Sequence, residues 1–237
     1  MTGAGGEKGR CGRRSGGPVV AVDGPSGVGK STAARGIAER LGLRYIDTGA
    51  MYRALALAAY GAGVDLESDA ELEEFCSTAE MDLDPETGRI SVNGTDHTDR
   101  LRTEEAGGYA SLASARPPVR EKLTGLQREL AREGGVVMEG RDIGTVVLPD
   151  ADIKFFLDAS PEVRAMRRHG ELEGADLNKI SSSMAGRDER DRSRKAAPLK
   201  KAPDAILVDT GSLDAEEVLA TLLGHMRDRG IIEGGSG

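Results

Sequence analysis

A chain of 237 residues is long enough to bury one sizeable core with room for an inserted subdomain, and too short for two large domains. A net charge of −8 and only 3% aromatic residues exclude the basic, aromatic-interleaved surface of a broad nucleic-acid binder and argue against anionic membranes. No apolar run approaches a bilayer span and the N-terminus lacks a signal-like stretch, while Cys11 and Cys76 make neither a disulfide framework nor a metal cluster, so a cytoplasmic protein without nucleic-acid or membrane partners is expected.

In chain order, residues 1–17 are Gly-rich and basic and are expected to form a disordered tail. The apolar run at 18–22 predicts a buried strand, followed by a glycine-rich loop and then by Ala34, Ile37, Ala38 and Leu41 at helical spacing. A second strand is predicted at 43–46 and a helix at 48–61. The next apolar run is too far away for one crossover helix, which implies an insertion at about 64–105. Within it, an acidic helix at 68–79 leads to short segments at 81–83 and 89–92, joined by a hairpin-like turn, Asp84-Pro85-Glu86-Thr87-Gly88. Pro117-Pro118 opens a helix at 117–133, and strands are predicted at 135–139, 152–157 and 204–208. Residues 233–237 read as a second unstructured tail. This alternation specifies an α/β fold, a five-stranded parallel sheet with helices on both faces, in a single domain spanning 18–232.

The loop after the first strand reads Asp23-Gly24-Pro25-Ser26-Gly27-Val28-Gly29-Lys30-Ser31-Thr32. Glycines at 24, 27 and 29 let backbone N–H groups turn toward an anion, because a side chain there would block close approach. Lys30 is placed to reach the β- and γ-phosphates of a nucleotide, the Ser31 hydroxyl to ligate Mg²⁺, and the following helix to aim its N-terminal dipole at the phosphates. Residues 24–32 are therefore the expected ATP site.

Far along the chain, Gly186-Arg187-Asp188-Glu189-Arg190-Asp191-Arg192-Ser193-Arg194 alternates charges of both signs. On a helix, Arg187, Asp191 and Arg194 fall at i, i+4 and i+7, so two guanidinium groups and a carboxylate share a face. Alone, such a run reads as a solvated helix; beside a phosphate loop it reads as an arginine-rich lid at about 170–195, which neutralises phosphoryl oxygens and excludes water. Arg141 and Asp142 follow the strand at 135–139, at whose carboxyl end ligands of open α/β sheets bind.

Together, the phosphate loop, Asp47-Thr48-Gly49-Ala50-Met51-Tyr52-Arg53, Glu139-Gly140-Arg141-Asp142-Ile143-Gly144-Thr145-Val146-Val147 and the charged run at 187–194 resemble bacterial cytidylate kinases, in order, from residue 18 to about 228. The resemblance implies a cytoplasmic, monomeric phosphotransferase that uses ATP and Mg²⁺ to phosphorylate CMP and dCMP, with an insert in the acceptor-binding region and an arginine lid. It implies that Arg53, Arg141 and Arg194 bind the acceptor phosphate with Tyr52 beside it. It further implies that Ser111, Arg120 and Asp142 read cytosine, that Arg187 and Asp191 lie near the ribose, and that Asp47 and Thr48 also line the acceptor site. Thr48 stands where a serine is common in relatives. Lys30, Arg187, Arg190 and Arg194 form the expected catalytic set, with Arg190 or Arg192 over the transferring group. For adenine, Arg164 and Arg168 are suggestions only.

Chemistry supports the base assignment: an ionised Asp142 accepts from the cytosine amine while Arg120 and Ser111 donate to its acceptors, and uracil would set a carbonyl against that carboxylate. A GTPase switch would need an Asn-Lys-x-Asp element, which does not occur. A kinase for guanylate, uridylate or shikimate is the serious alternative.

Overall fold

Apolar runs and helical periods alternate as β1 (Val19–Asp23), α1 (Lys30–Leu41), β2 (Arg44–Asp47), α2 (Thr48–Gly61), α3 (Asp69–Thr78), β3 (Met81–Leu83), β4 (Ile90–Val92) and β5 (Thr95–Asp96). They continue as α4 (Glu104–Ala113), α5 (Pro117–Ala131), β6 (Val136–Gly140), β7 (Ile153–Asp158), α6 (Pro161–Gly170), α7 (Leu177–Ser193), β8 (Ile206–Asp209) and α8 (Ala215–Asp228). The computed structural model describes residues 15–84, 87–171 and 176–233.

Five strands pair in the order β2-β6-β1-β7-β8, all parallel, with each predicted strand found within two residues of its expected limits. Alternation of side chains divides the core into two layers. Val19, Ala21, Val136 and Met138 pack against Met51 and Leu55 of α2 and Leu123 of α5 on one face, while Val20, Val22 and Val137 pack against Ile37 of α1 and Leu222 of α8 on the other. Strands buried on both faces have no polar side, which is why they read as unbroken apolar runs. The chain leaves β1 toward β2 on one side, whereas β7 and β8 lie on the other, so loops diverge at the carboxyl end of β1 and open a crevice there.

The insertion holds one strand more than expected. β3, β4 and β5 form an antiparallel meander in which Asn93 (φ 50°) and Gly94 (φ 75°) make the two-residue turn between β4 and β5. Positive φ at both central residues is what that turn type requires, and Asn-Gly is its strongest sequence signal. Pro85 and Glu86 of the other turn lie outside the described residues.

Most of the expected N-terminal tail also lies outside the described residues, as do Cys11 and residues 234–237. Gly16 and Gly17 belong with the domain: the Gly16 N–H donates to the Glu133 carbonyl (2.9 Å) and the Gly135 N–H to the Gly17 carbonyl (3.0 Å). Cys76 is a buried free thiol. Among the described residues no helix is long and apolar enough to cross a membrane.

Candidate active site

The glycine loop leaves β1 and passes between β7 and α7. A Cβ on Gly24 would lie 2.3 Å from the Leu157 carbonyl oxygen; one on Gly27 (φ 73°) would lie 2.7 Å from Met184 Cε and 3.0 Å from the Arg164 carbonyl oxygen. Only glycine fits either place. α1 starts at Lys30 with Gly29 as its N-cap, so the first-turn N–H groups face the loop's concavity. Lys30 is buried, its Nζ donates to the Pro25 carbonyl (2.7 Å), and burial, followed by the nearby Arg141, pulls its pKa down to about 7. A buried ammonium next to another cation is a strong attractor for phosphate.

Glu139, at the end of β6, is buried beside this loop and hydrogen-bonds with Ser31 and with the Tyr45 hydroxyl. Burial, then the neighbouring Asp47, pushes its carboxyl above the ordinary value. Arg35 of α1 lies 4.9 Å from the Tyr45 ring centroid and so backs this arrangement. The hard oxygens of Ser31, Glu139 and Asp47 fit Mg²⁺. Among the described residues no cluster of three or more His, Cys, Asp or Glu could hold a metal ion. Glu139 received no role in the sequence reading; its signal is a lone carboxylate closing an apolar strand.

On the acceptor side, Asp47 caps α2 by accepting from the Ala50 N–H (2.8 Å) and pairs with Arg53 (3.2 Å). Arg53 Nε is buried without a protein partner, so the guanidinium keeps a donor for an anion. Thr48, the first residue of α2, is buried, and its hydroxyl donates to the Glu139 carbonyl (2.7 Å), tethering α2 to β6.

Four expected residues meet at the loop after β6. Asp142 pairs with Arg120 and with Arg194 (3.4 Å), and the Arg120 guanidinium lies 5.9 Å from the Tyr52 ring centroid. Arg120 and Asp142 are 6% and 5% exposed, an ion pair removed from water. Arg120 also donates to the Ser114 carbonyl (3.3 Å); Ser111 stands one turn earlier on α4, its carbonyl accepting from the Ser114 hydroxyl (3.4 Å). Arg141 Nε donates to Asp191 (2.9 Å), whose other oxygen lies 3.9 Å from Arg194.

Asp191 and Arg194 keep the expected common face: Arg194 is the C-cap of α7, its N–H still donates to the Arg190 carbonyl (3.1 Å), and its side chain lies 3.9 Å from Asp191 and reaches Asp142. Arg187 instead lies over Gly107 of α4, where a Cβ would come within 2.8 Å of its guanidinium. Burial pulls both Arg187 and Arg194 below the ordinary arginine value, and Arg168 and Arg190 add to the effect at Arg187. Such crowding is relieved by a bound anion. Arg190 and Arg192 are exposed, with Arg190 Nε donating to the Gly186 carbonyl of its own helix (3.1 Å).

Helix α7 also has a packing role that the charge alternation concealed. Ile180, Met184 and Asp188, at i, i+4 and i+8, form its buried face. Asp188 pairs with Arg164 of α6 and accepts from the Ser26 N–H (3.3 Å), while Arg164 donates to the Ser26 carbonyl (3.0 Å). The pair thus grips Ser26 of the phosphate loop from both sides. Arg164, suggested for adenine, has Nη1 engaged in this clamp and Nε with the Ala159 carbonyl (3.1 Å), and Arg168 pairs with Glu171 (2.7 Å). Residues 172–175 of the expected lid lie outside the described residues. Asp188→Ala would leave the buried Arg164 without its counter-charge, so we expect about 3–5 kcal/mol of lost stability and a Tm drop of roughly 10 °C. Thermal denaturation checks this, and an unchanged Tm would contradict it.

A family model described as cytidylate kinase matches residues 20–228. Cytidylate kinases of Citrifermentans bemidjiense and Geobacter sulfurreducens are 47% and 48% identical to this chain, over 91% and 92% of it and 95% and 96% of the relatives. A crystal structure of an uncharacterized protein from Eubacterium ventriosum covers 88% of this chain and 98% of that one at 13% identity and a TM-score of 0.51, a likeness of fold alone. With the whole β1–α8 region matched by the family model and near half of its residues identical to those relatives, the chain belongs to the cytidylate kinase family.

Proposed function

We propose that the protein transfers the γ-phosphoryl group of ATP to CMP, and to dCMP, giving ADP and the corresponding diphosphate. The observation that carries this reading is the buried Arg120–Asp142 pair, a donor and an acceptor side by side, with Arg194 on the same carboxylate and Arg141 the preceding residue. Cytosine offers an amine to Asp142 and acceptors to Arg120, and the acceptor phosphate offers its oxygens to the arginines.

The loop N–H groups and Lys30 hold the donor phosphates, and Ser31 and Glu139 would hold Mg²⁺, whose charge when bound neutralises the β- and γ-phosphate oxygens. Arg53, Arg141 and Arg194 orient the acceptor phosphate for in-line attack. That phosphate is already anionic, so no side chain need act as a general base; the protein's contribution is positioning and charge stabilisation. Arg187 and the lid arginines Arg190 and Arg192 are the candidates for closing over the transferring group, and Ser111 and Asp191 for contacts to the base and ribose.

Steady-state ATP consumption with CMP, dCMP, UMP, GMP and shikimate tests the proposal. Turnover with CMP and dCMP is expected, with kcat/KM for UMP roughly 10²-fold lower than for CMP. Equal or greater efficiency with UMP, GMP or shikimate would overturn it.

A further inference from the structure

β1 ends in a carboxylate for which phosphoryl transfer has no direct use. Asp23 is 3% exposed, and burial pushes its carboxyl up to about 6 against the lowering effect of two backbone donors. Both of its oxygens are engaged by one loop: Oδ1 accepts from the Ile143 N–H and Oδ2 from the Gly144 N–H, each at 2.8 Å. Those are the two peptide groups that directly follow Asp142. On Asp142's own carbonyl, the Val146 and Val147 N–H groups converge at 2.9 and 3.2 Å, closing a single π-helical turn over Ile143–Val147. The peptide carrying the Asp142 side chain is therefore held from β1 as well as by its own turn.

The position is also the threshold of the donor loop, because Gly24 follows immediately. One buried carboxylate thus joins the start of the phosphate-binding backbone to the backbone that aims Asp142 at Arg120 and Arg194. Two parallel N–H groups need two acceptor oxygens. An asparagine would offer one oxygen and turn its amino group against the other N–H, an unfavourable donor–donor contact in a buried place. The loop side is fitted just as closely: a Cβ on Gly144 would lie 3.4 Å from Asp23 Oδ2 and 3.0 Å from Lys154 Cδ.

We propose that Asp23 is a positioning residue which fixes the direction of the Asp142 carboxylate and thereby sets the enzyme's preference for cytosine over uracil. The proposal rests on the reading of Asp142 as the group that accepts from the cytosine amine. A misaim of about an ångström at a base-reading carboxylate is enough to change efficiency by an order of magnitude or more.

The other end of the same strand supplies the control, since Asp152 accepts from the Val19 N–H (2.7 Å) and ties a loop to β1 far from the crevice. For Asp23→Asn, the ratio of kcat/KM for CMP over UMP is expected to fall about tenfold and KM for CMP to rise at least about fivefold, with KM for ATP changing less than about twofold. Asp152→Asn is expected to leave the ratio unchanged whatever it does to Tm. If Asp23→Asn does not fold, Gly144→Ala crowds the same contact from the loop side and is expected to lower the ratio in the same direction. An unchanged ratio in the folded variant, or an equal fall in Asp152→Asn, would overturn the proposal. A wild-type enzyme that used UMP as well as CMP would remove the reading of Asp142 itself, and the proposal with it.

Discussion

Lys30→Met is expected to lower kcat by about 10²–10³-fold, the usual effect of removing one preorganised charge from a phosphoryl or acyl transfer site. Methionine keeps most of the apolar stem that lies buried at the start of α1, so the fold should survive and the loss should fall on chemistry. The ammonium is anchored by the Pro25 carbonyl within its own loop, which holds it inside the loop proposed to bind the β- and γ-phosphates. Because the charge matters most as the γ-phosphoryl group departs, kcat should fall more than the affinity for ATP. Rapid-quench single turnovers and a separate nucleotide titration measure the two; a variant that lost affinity alone, with kcat intact, would contradict this assignment.

Asp142→Asn is expected to have two large effects. Arg120 and Arg194 would lose their shared counter-charge in a place nearly closed to water, a loss of about 3–5 kcal/mol if the guanidinium groups stay charged. The second effect is on substrate choice. An asparagine can turn its amino group toward the base, where it suits the uracil carbonyl and opposes the cytosine amine, so the CMP-to-UMP efficiency ratio should fall by roughly 10²-fold or more. Thermal melts and paired steady-state assays separate the two. Retention of the CMP preference in a folded variant would show that Asp142 does not read the base.

Much of the architecture is legible because a doubly covered parallel strand is apolar over most of its length: β1 and β6 are so up to their ends, and β7 is broken only by Lys154 and its final Asp158. β5 escaped because two residues, Thr95 and Asp96, are too few to show alternation, although Asn93-Gly94 announces the turn before them. The site was legible where a residue type has few alternative uses. Glycines beside a lysine and arginines after a strand end belong to that class. It was less so where the same residue serves packing. Asp188 looks like any member of a charged run until its spacing of four from Met184 and eight from Ile180 is weighed, and Asp23 and Glu139 are single polar letters at the ends of apolar strands. Arg187 shows the opposite limit: helical spacing predicts a face shared with Asp191 and Arg194, but its guanidinium packs over Gly107 of α4, a tertiary contact that spacing does not encode.

In the proposed reaction a donor and an acceptor anion meet between the phosphate loop and guanidinium groups drawn from α2, the loop after β6 and the end of α7. A crystal structure with a bisubstrate analogue that joins ATP to CMP tests it most directly. The account predicts Arg53, Arg141 and Arg194 within hydrogen-bond distance of the acceptor phosphate, Lys30 on the donor phosphates, and Asp142 facing the cytosine amine. Those three arginines turned to solvent, or the pyrimidine bound away from Asp142, would contradict it.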